Sequence, residues 1–182
     1  NPLRVRRPIA ELAAKGQVIE IAEKIGNFER LAGIVEADLA TLDPDKIPHD
    51  WRDSMVTGWL EFGFADAQKQ VVSLVGELAV TLDAVCQRCL EPFRLSLATG
   101  LRLLPTTVEQ GVSAGNDFEP WELEDERVCP AEIVEEVLIM AMPLSAMHEN
   151  SAACKGYEPA DEEAQQTTRP FAALKAQLDQ DK

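Results

Sequence analysis

The sequence predicts an α+β domain: an antiparallel sheet or partly open β-barrel, with one helix packed on it and short helices at the periphery. Three observations carry that prediction. Two long stretches, 72–82 and 93–103, alternate apolar and polar residues with a period of two and are joined by a short link, as in an antiparallel hairpin. A third stretch, 56–64, alternates in the same way. After them, "CPAEIVEEVLIMAMP" places its apolar residues at helical spacing, which predicts a helix over about 131–142 that covers the sheet.

The elements follow in chain order. "RRPIAELAAKG" predicts a short helix, with Pro8 suited to the first turn, Ile9, Leu12 and Ala13 on one face, and Gly16 suited to the end. "QVIEIA" alternates like a strand. "NFERLAGIV" predicts a second short helical element with Asn27 as its cap. The polar, proline-containing stretch 41–54 reads as a loop.

In "VTGWLEFGF", Leu60, Phe62 and Phe64 alternate with Glu61 and Gly63. Val72, Leu74, Leu78, Val80 and Leu82 mark the buried face of the next strand, and Gly76 reads as a bulge or kink. In the partner strand, Leu95, Leu97, Leu101 and Leu103 mark the same face, so "CQRCLEP" becomes the hairpin tip. Pro130 fits the first turn of the long helix, Pro143 stops it, and Ile133, Val134, Val137, Leu138, Met140 and Ala141 form its apolar face. Residues 1–156 are therefore expected to form one α+β domain. Residues 157–182 read as a linker followed by a short docking segment, "RPFAALKAQL", with Phe171, Leu174 and Leu178 on one side.

Composition narrows the function classes. A hydrophobic share of 46% over 182 residues is ample for one core. No run reaches the roughly 18 apolar residues that span a bilayer, and "NPLRVRRPIAEL" lacks the apolar stretch of a secretory signal, so a soluble cytoplasmic protein with no membrane partner is expected. The net charge is -15, with six acidic residues in "DFEPWELEDE" alone. Such a surface repels RNA and either suits a basic protein partner, with the acidic region from Asp117 to Glu136 expected to face it, or serves solubility alone. Phe118, Trp121 and Leu123 within that run are expected to tuck onto the domain. A small RNA contact through Arg4, Arg6, Arg7 and Arg88 is the contrary reading; the plain one is a frayed, solvated N-terminal arm. Catalytic signatures are sparse: there is no glycine-rich phosphate loop, HExxH or GxSxG, and only two histidines.

The cysteines offer the sharpest motif. Cys86 and Cys89 share a gap used by zinc knuckles and by thioredoxin-type dithiols alike. Zinc needs about four soft or borderline ligands, and "HENSAAC" supplies His148 and Cys154 as a second pair in the loop after the long helix. On spacing alone three readings stand: a zinc site at Cys86, Cys89, His148 and Cys154, four free thiols, or a disulfide or redox pair at Cys86 and Cys89. Cys129, at the expected cap of the long helix, and His49, in "IPHDW", read as bystanders.

Taken in order, "CQRCLEPF" after a long alternating strand, "EEVLIMAMPL" ending in proline, the His148 and Cys154 pair, and "RPFAALKAQL" resemble the bacterial and plastid YceD family, the large ribosomal RNA subunit accumulation proteins. The resemblance runs from about Pro8 to Leu178, and "RRPIAELAAKG" resembles the family's opening segment. It implies a cytoplasmic role in accumulation or maturation of large-subunit (23S) rRNA without catalysis. It carries onto Cys86, Arg88, Cys89, Pro143, His148, Cys154, Pro170 and Phe171 and favours the metal reading, whereas Cys129 has no counterpart. Joined to the charge, it implies a basic ribosomal or assembly protein as the partner, with pre-rRNA contact as the alternative.

Overall fold

The computed structural model describes residues 1–106, 117–123 and 125–154. Within them, strands β1 (Arg7–Pro8), β2 (Val18–Lys24), β3 (Met55–Phe64), β4 (Val72–Val85), β5 (Pro92–Thr106), β6 (Glu119–Glu122) and β7 (Arg127–Val128) accompany helices α1 (Ile9–Ala14), α2 (Glu29–Leu39) and α3 (Pro130–Ala141). The main sheet has the order β2-β3-β4-β5-β6, and β1 pairs separately with β7. The architecture is α+β, as the alternation predicts, and the sheet is open rather than closed into a barrel. It is also mixed: β2 to β5 run antiparallel, but β6 joins β5 in parallel, from Leu103↔Glu119 to Thr106↔Glu122.

The β4–β5 hairpin is the frame, paired without interruption from Leu74↔Leu103 to Val85↔Pro92. Gly76 is therefore no bulge. A Cβ there would lie 2.5 Å from the Trp59 carbonyl oxygen and 2.9 Å from Leu60 Cδ2, so the close approach of β3 demands glycine. One sheet face, carrying Leu60, Phe62, Leu74, Leu78 and Leu82, is buried under all three helices. Each such side chain contributes roughly 1.5–3 kcal/mol by leaving water. Gly16, at φ +55°, ends α1 in the left-handed conformation that favours glycine.

The loop 41–54 contributes more to the core than its polarity indicates. It forms two short 3-10 turns, Pro44–Lys46 and Trp51–Asp53, and buries Leu42 and Trp51. The N-terminal arm is likewise docked rather than frayed: Leu3 is buried, Arg4 lies over the Phe28 ring and 3.6 Å from Glu23, and Arg6 pairs with Glu132 at 2.7 Å. Phe118, Trp121 and Leu123 are half-buried, as expected of a tucked acidic run. Met140 departs from the expected apolar face of α3 and is 77% exposed, because the last turn of the helix faces a cavity beside β5. The docking segment at Pro170, Phe171, Leu174 and Leu178 lies outside the described residues.

Helix α2 lacks a side-chain cap of its own. Asn27 instead donates its amide to Glu23 at 2.7 Å, and the buried Phe28 stands at the cap position. The missing acceptor comes from α3, where Glu135, only 7% exposed, accepts the Leu31 N–H at 2.9 Å. A carboxylate at a helix N-terminus satisfies an otherwise orphaned donor and is favoured by the helix dipole. Replacing Glu135 by Ala leaves that donor buried and unpaired, so urea denaturation is expected to show a loss of about 1–3 kcal/mol. Glu132→Ala, which removes only an exposed ion pair, is expected to leave the midpoint nearly unchanged.

Candidate metal centre

The hairpin tip is built from the backbone outward. Cys86 N–H donates to the Glu91 carbonyl at 3.0 Å and Leu90 N–H to the Cys86 carbonyl at 2.8 Å, closing a knuckle over Gln87–Leu90. Leu90 sits at φ +58°, where a bulky side chain costs roughly 1–2 kcal/mol, and its side chain is 65% exposed. The tight turn this produces aims the Cys86 and Cys89 side chains at one point.

Neighbouring elements hold the tip from three sides. Asp38 on α2 accepts the Val85 N–H at 2.8 Å, Lys46 pairs with Glu91 at 2.6 Å, and Gln87 N–H donates to the Ala146 carbonyl at 2.8 Å in the loop after α3. That last bond brings "HENSAAC" to the tip. The Phe93 ring packs against His148 with centroids 4.8 Å apart and fixes the imidazole's orientation. None of these partners carries a sequence signature. Each is a single ordinary residue whose role exists only once the loop has folded back.

The four predicted side chains converge. The ligand atoms of Cys86, Cys89, His148 and Cys154 lie within 4.8 Å of one another. Cys86 Sγ is 3.9 Å from Cys154 Sγ, Cys89 Sγ is 3.7 Å from His148 Nδ1, and Cys154 Sγ is 3.4 Å from His148 Nδ1. A tetrahedral zinc ion with ligands at about 2.3 Å (sulfur) and 2.0–2.1 Å (nitrogen) has sulfur–sulfur edges of about 3.8 Å and sulfur–nitrogen edges of about 3.5–3.6 Å. These three spacings match those edges and all four ligand atoms fall within 4.8 Å, so the cluster could hold a metal ion. A disulfide needs sulfurs about 2.05 Å apart, and all four cysteines are free thiols. Cys129 stands apart at the start of α3, pointing its Sγ at the Leu3 carbonyl at 3.6 Å. His49 is exposed and outside the cluster.

The electrostatics favour thiolate at Cys86. Burial of Cys86 pushes its thiol pKa up, but the backbone N–H groups of His148, Cys89 and Arg88 directed at its sulfur outweigh that and lower it to about 6. Cys154 is raised instead, by burial and by the neighbouring Cys89 and Cys86 thiols. Three thiolates and one histidine around a divalent cation leave a net charge of about -1. Arg88 approaches Cys154 Sγ at 3.8 Å and faces that charge. Between them, these contacts orient the four donors, and those at Cys86 also favour its ionised form.

A depressed thiol pKa contributes stability that is present above the unfolded value near 9, declines as pH falls, and is gone below the folded value near 6. For metal-free protein, the ultraviolet absorbance of thiolate is expected to rise with a midpoint near pH 6, and that step is expected to vanish in Cys86→Ser. A midpoint at the ordinary thiol value would contradict the assignment.

The family model described as Large ribosomal RNA subunit accumulation protein YceD matches residues 74–178. A curated protein of that name from Haemophilus influenzae is 33% identical over 129 residues, covering 67% of this chain and 72% of that protein. No solved structure matches. The matched span contains the hairpin, its tip, α3 and all four clustered donors, and on that basis the chain belongs to the YceD family of large ribosomal RNA subunit accumulation proteins.

Proposed function

We propose that this protein is a non-catalytic accessory factor of large-subunit biogenesis, acting in the cytoplasm, that supports accumulation of 23S rRNA by holding a basic ribosomal or assembly protein. Membership of the family is the observation that carries the reading. The charge of -15 supports a basic protein partner over a nucleic acid. So does the arrangement of the N-terminal arginines, since Arg6 and Arg7 are engaged by Glu132 and Glu11 at 2.7 and 3.1 Å. Within the expected acidic face, Glu132, Glu135 and Glu136 bind Arg6, the Leu31 N–H and Arg30, which leaves Asp117, Glu119, Glu122, Asp125 and Glu126 as the other exposed acids among the described residues. No helix among the described residues is long and apolar enough to cross a membrane.

In this reading Cys86, Cys89, His148 and Cys154 hold a structural zinc ion. The metal fixes the hairpin tip to the exit of α3 and leaves no open coordination position for chemistry. Full burial of Cys86 also withholds it from attack on a disulfide, which favours the structural role over a thiol-exchange role.

Two measurements test the proposal. Purified full-length protein is expected to carry one zinc per chain, with Cys86→Ser losing most of it and melting at lower temperature. Zinc-free protein with an exchangeable low-pKa thiol supports the redox reading instead. Affinity purification from cells, with nuclease and high-salt washes, is expected to recover one or more basic large-subunit proteins. Recovery of RNA without such a protein would overturn the partner assignment.

A further inference from the structure

Beside β5 lies a cavity of about 700 Å³ that no described side chain fills. It straddles the edge of the sheet: Trp59, Glu77 and Arg102 approach from the outer face, Val137 and Met140 from α3, and Glu119 and Trp121 from β6. Its origin is local. β6 pairs with β5 only from Leu103 to Thr106, so among the described residues no strand lies outside β5 between Pro92 and Arg102. Gly100 leaves a notch in that open edge, since a Cβ there would meet nothing nearer than the Gly76 carbonyl at 3.9 Å.

We propose that this groove binds an extended basic segment of a protein partner, which adds as a short strand along the free edge of β5 at Thr99–Arg102 and places arginine or lysine side chains against Trp59 and Trp121. The inference rests on the reading above, that the partner is a basic protein, and locates where it is held. An open strand edge offers backbone hydrogen bonds to an extended chain, and side-chain pockets beside it give selectivity. The tryptophan faces suit a guanidinium or ammonium group.

Charge selects the occupant. Glu77, Asp117 and Glu119 line the cavity and have no ionic partner among the described residues. Arg102, the one base in the lining, is held over the Phe118 ring at 4.8 Å. These carboxylates repel a phosphate backbone, which excludes RNA from the groove. Among the chain's own segments outside the described residues, "RPFAALKAQL" carries Arg169 and Lys175 and no acid, so it is the competitor that the test must exclude. "TVEQGVSAGN", 107–116, contains no base, and residues 155–182 carry six acidic residues against four basic ones.

The test is fluorescence anisotropy of a labelled ten-residue peptide of alternating Arg and Val, titrated with the full-length protein, beside the Glu/Val counterpart. Saturable binding of the basic peptide alone is expected. Gly100→Val fills the notch without a positive-φ penalty and suits a strand, and Glu77→Lys reverses the rim charge at an exposed position; each is expected to weaken binding at least tenfold with melting unchanged. Equal binding by both variants, or none by the wild type, overturns the proposal. Binding that emerges only in Phe171→Ala also overturns it, because the chain's own tail would then occupy the groove. If basic large-subunit proteins still co-purify with Gly100→Val, the proposed function stands and the groove is wrong; if none co-purifies with the wild type, the function itself fails.

Discussion

The architecture depends on one junction, where the tip of the β4–β5 hairpin meets the loop that leaves α3. A 14-residue strand is roughly 45 Å long, and a hairpin of that length has a tip far from the strands that brace its base. Here the tip is braced by sequence-distant groups: Asp38, Lys46, the Ala146 carbonyl, and the convergence of Cys86 and Cys89 with His148 and Cys154. Because the α3 exit is fixed there, the rest of the helix is placed as well. Glu135 reaches the start of α2, and Glu132 and Glu136 reach Arg6 and Arg30. A metal at the tip would therefore act on the packing of α2 and on the docking of the N-terminal arm.

Acidity divides into two physical roles along the chain. On α3 the carboxylates are engaged within the chain: buried Glu135 serves as a helix cap, and exposed Glu132 and Glu136 pair with arginines of the arm and α2. Around β6 they point outward beside aromatic rings and an open strand edge. The first group already has partners within the chain, and of the three only Glu135 is expected to matter for stability. Only the second is placed to attract one, so a small part of the net charge of -15 carries the recognition proposed for this protein.

Much of this was legible in the sequence, for identifiable reasons. Strict period-two alternation over β4 and β5 specifies both the strands and their inward face, because a one-residue slip would expose Leu74, Leu78 and Leu82. Pro130 and Pro143 bound α3 as written. The cluster was legible because soft ligands are few, and two pairs of them fall in loops that a hairpin and a core helix bring together. What the sequence concealed depends on tertiary contacts. The trans cap at Glu135 looks like one more glutamate in an acidic helix, and the parallel pairing of β6 looks like a solvated acidic run. Gly76 was misread because a bulge and a close backbone approach leave the same mark. Short polar stretches such as 41–54 also conceal how deeply a single Trp51 is inserted.

The central claim is that three sulfurs and one imidazole nitrogen form a single tetrahedral site joining the tip to the α3 exit. X-ray absorption at the zinc edge of the purified full-length protein tests it most directly. The account predicts three sulfur scatterers at about 2.3 Å and one nitrogen at about 2.0 Å, the nitrogen contribution disappearing in His148→Ala. A shell of oxygen ligands, or protein that purifies without metal and keeps its fold, would contradict it.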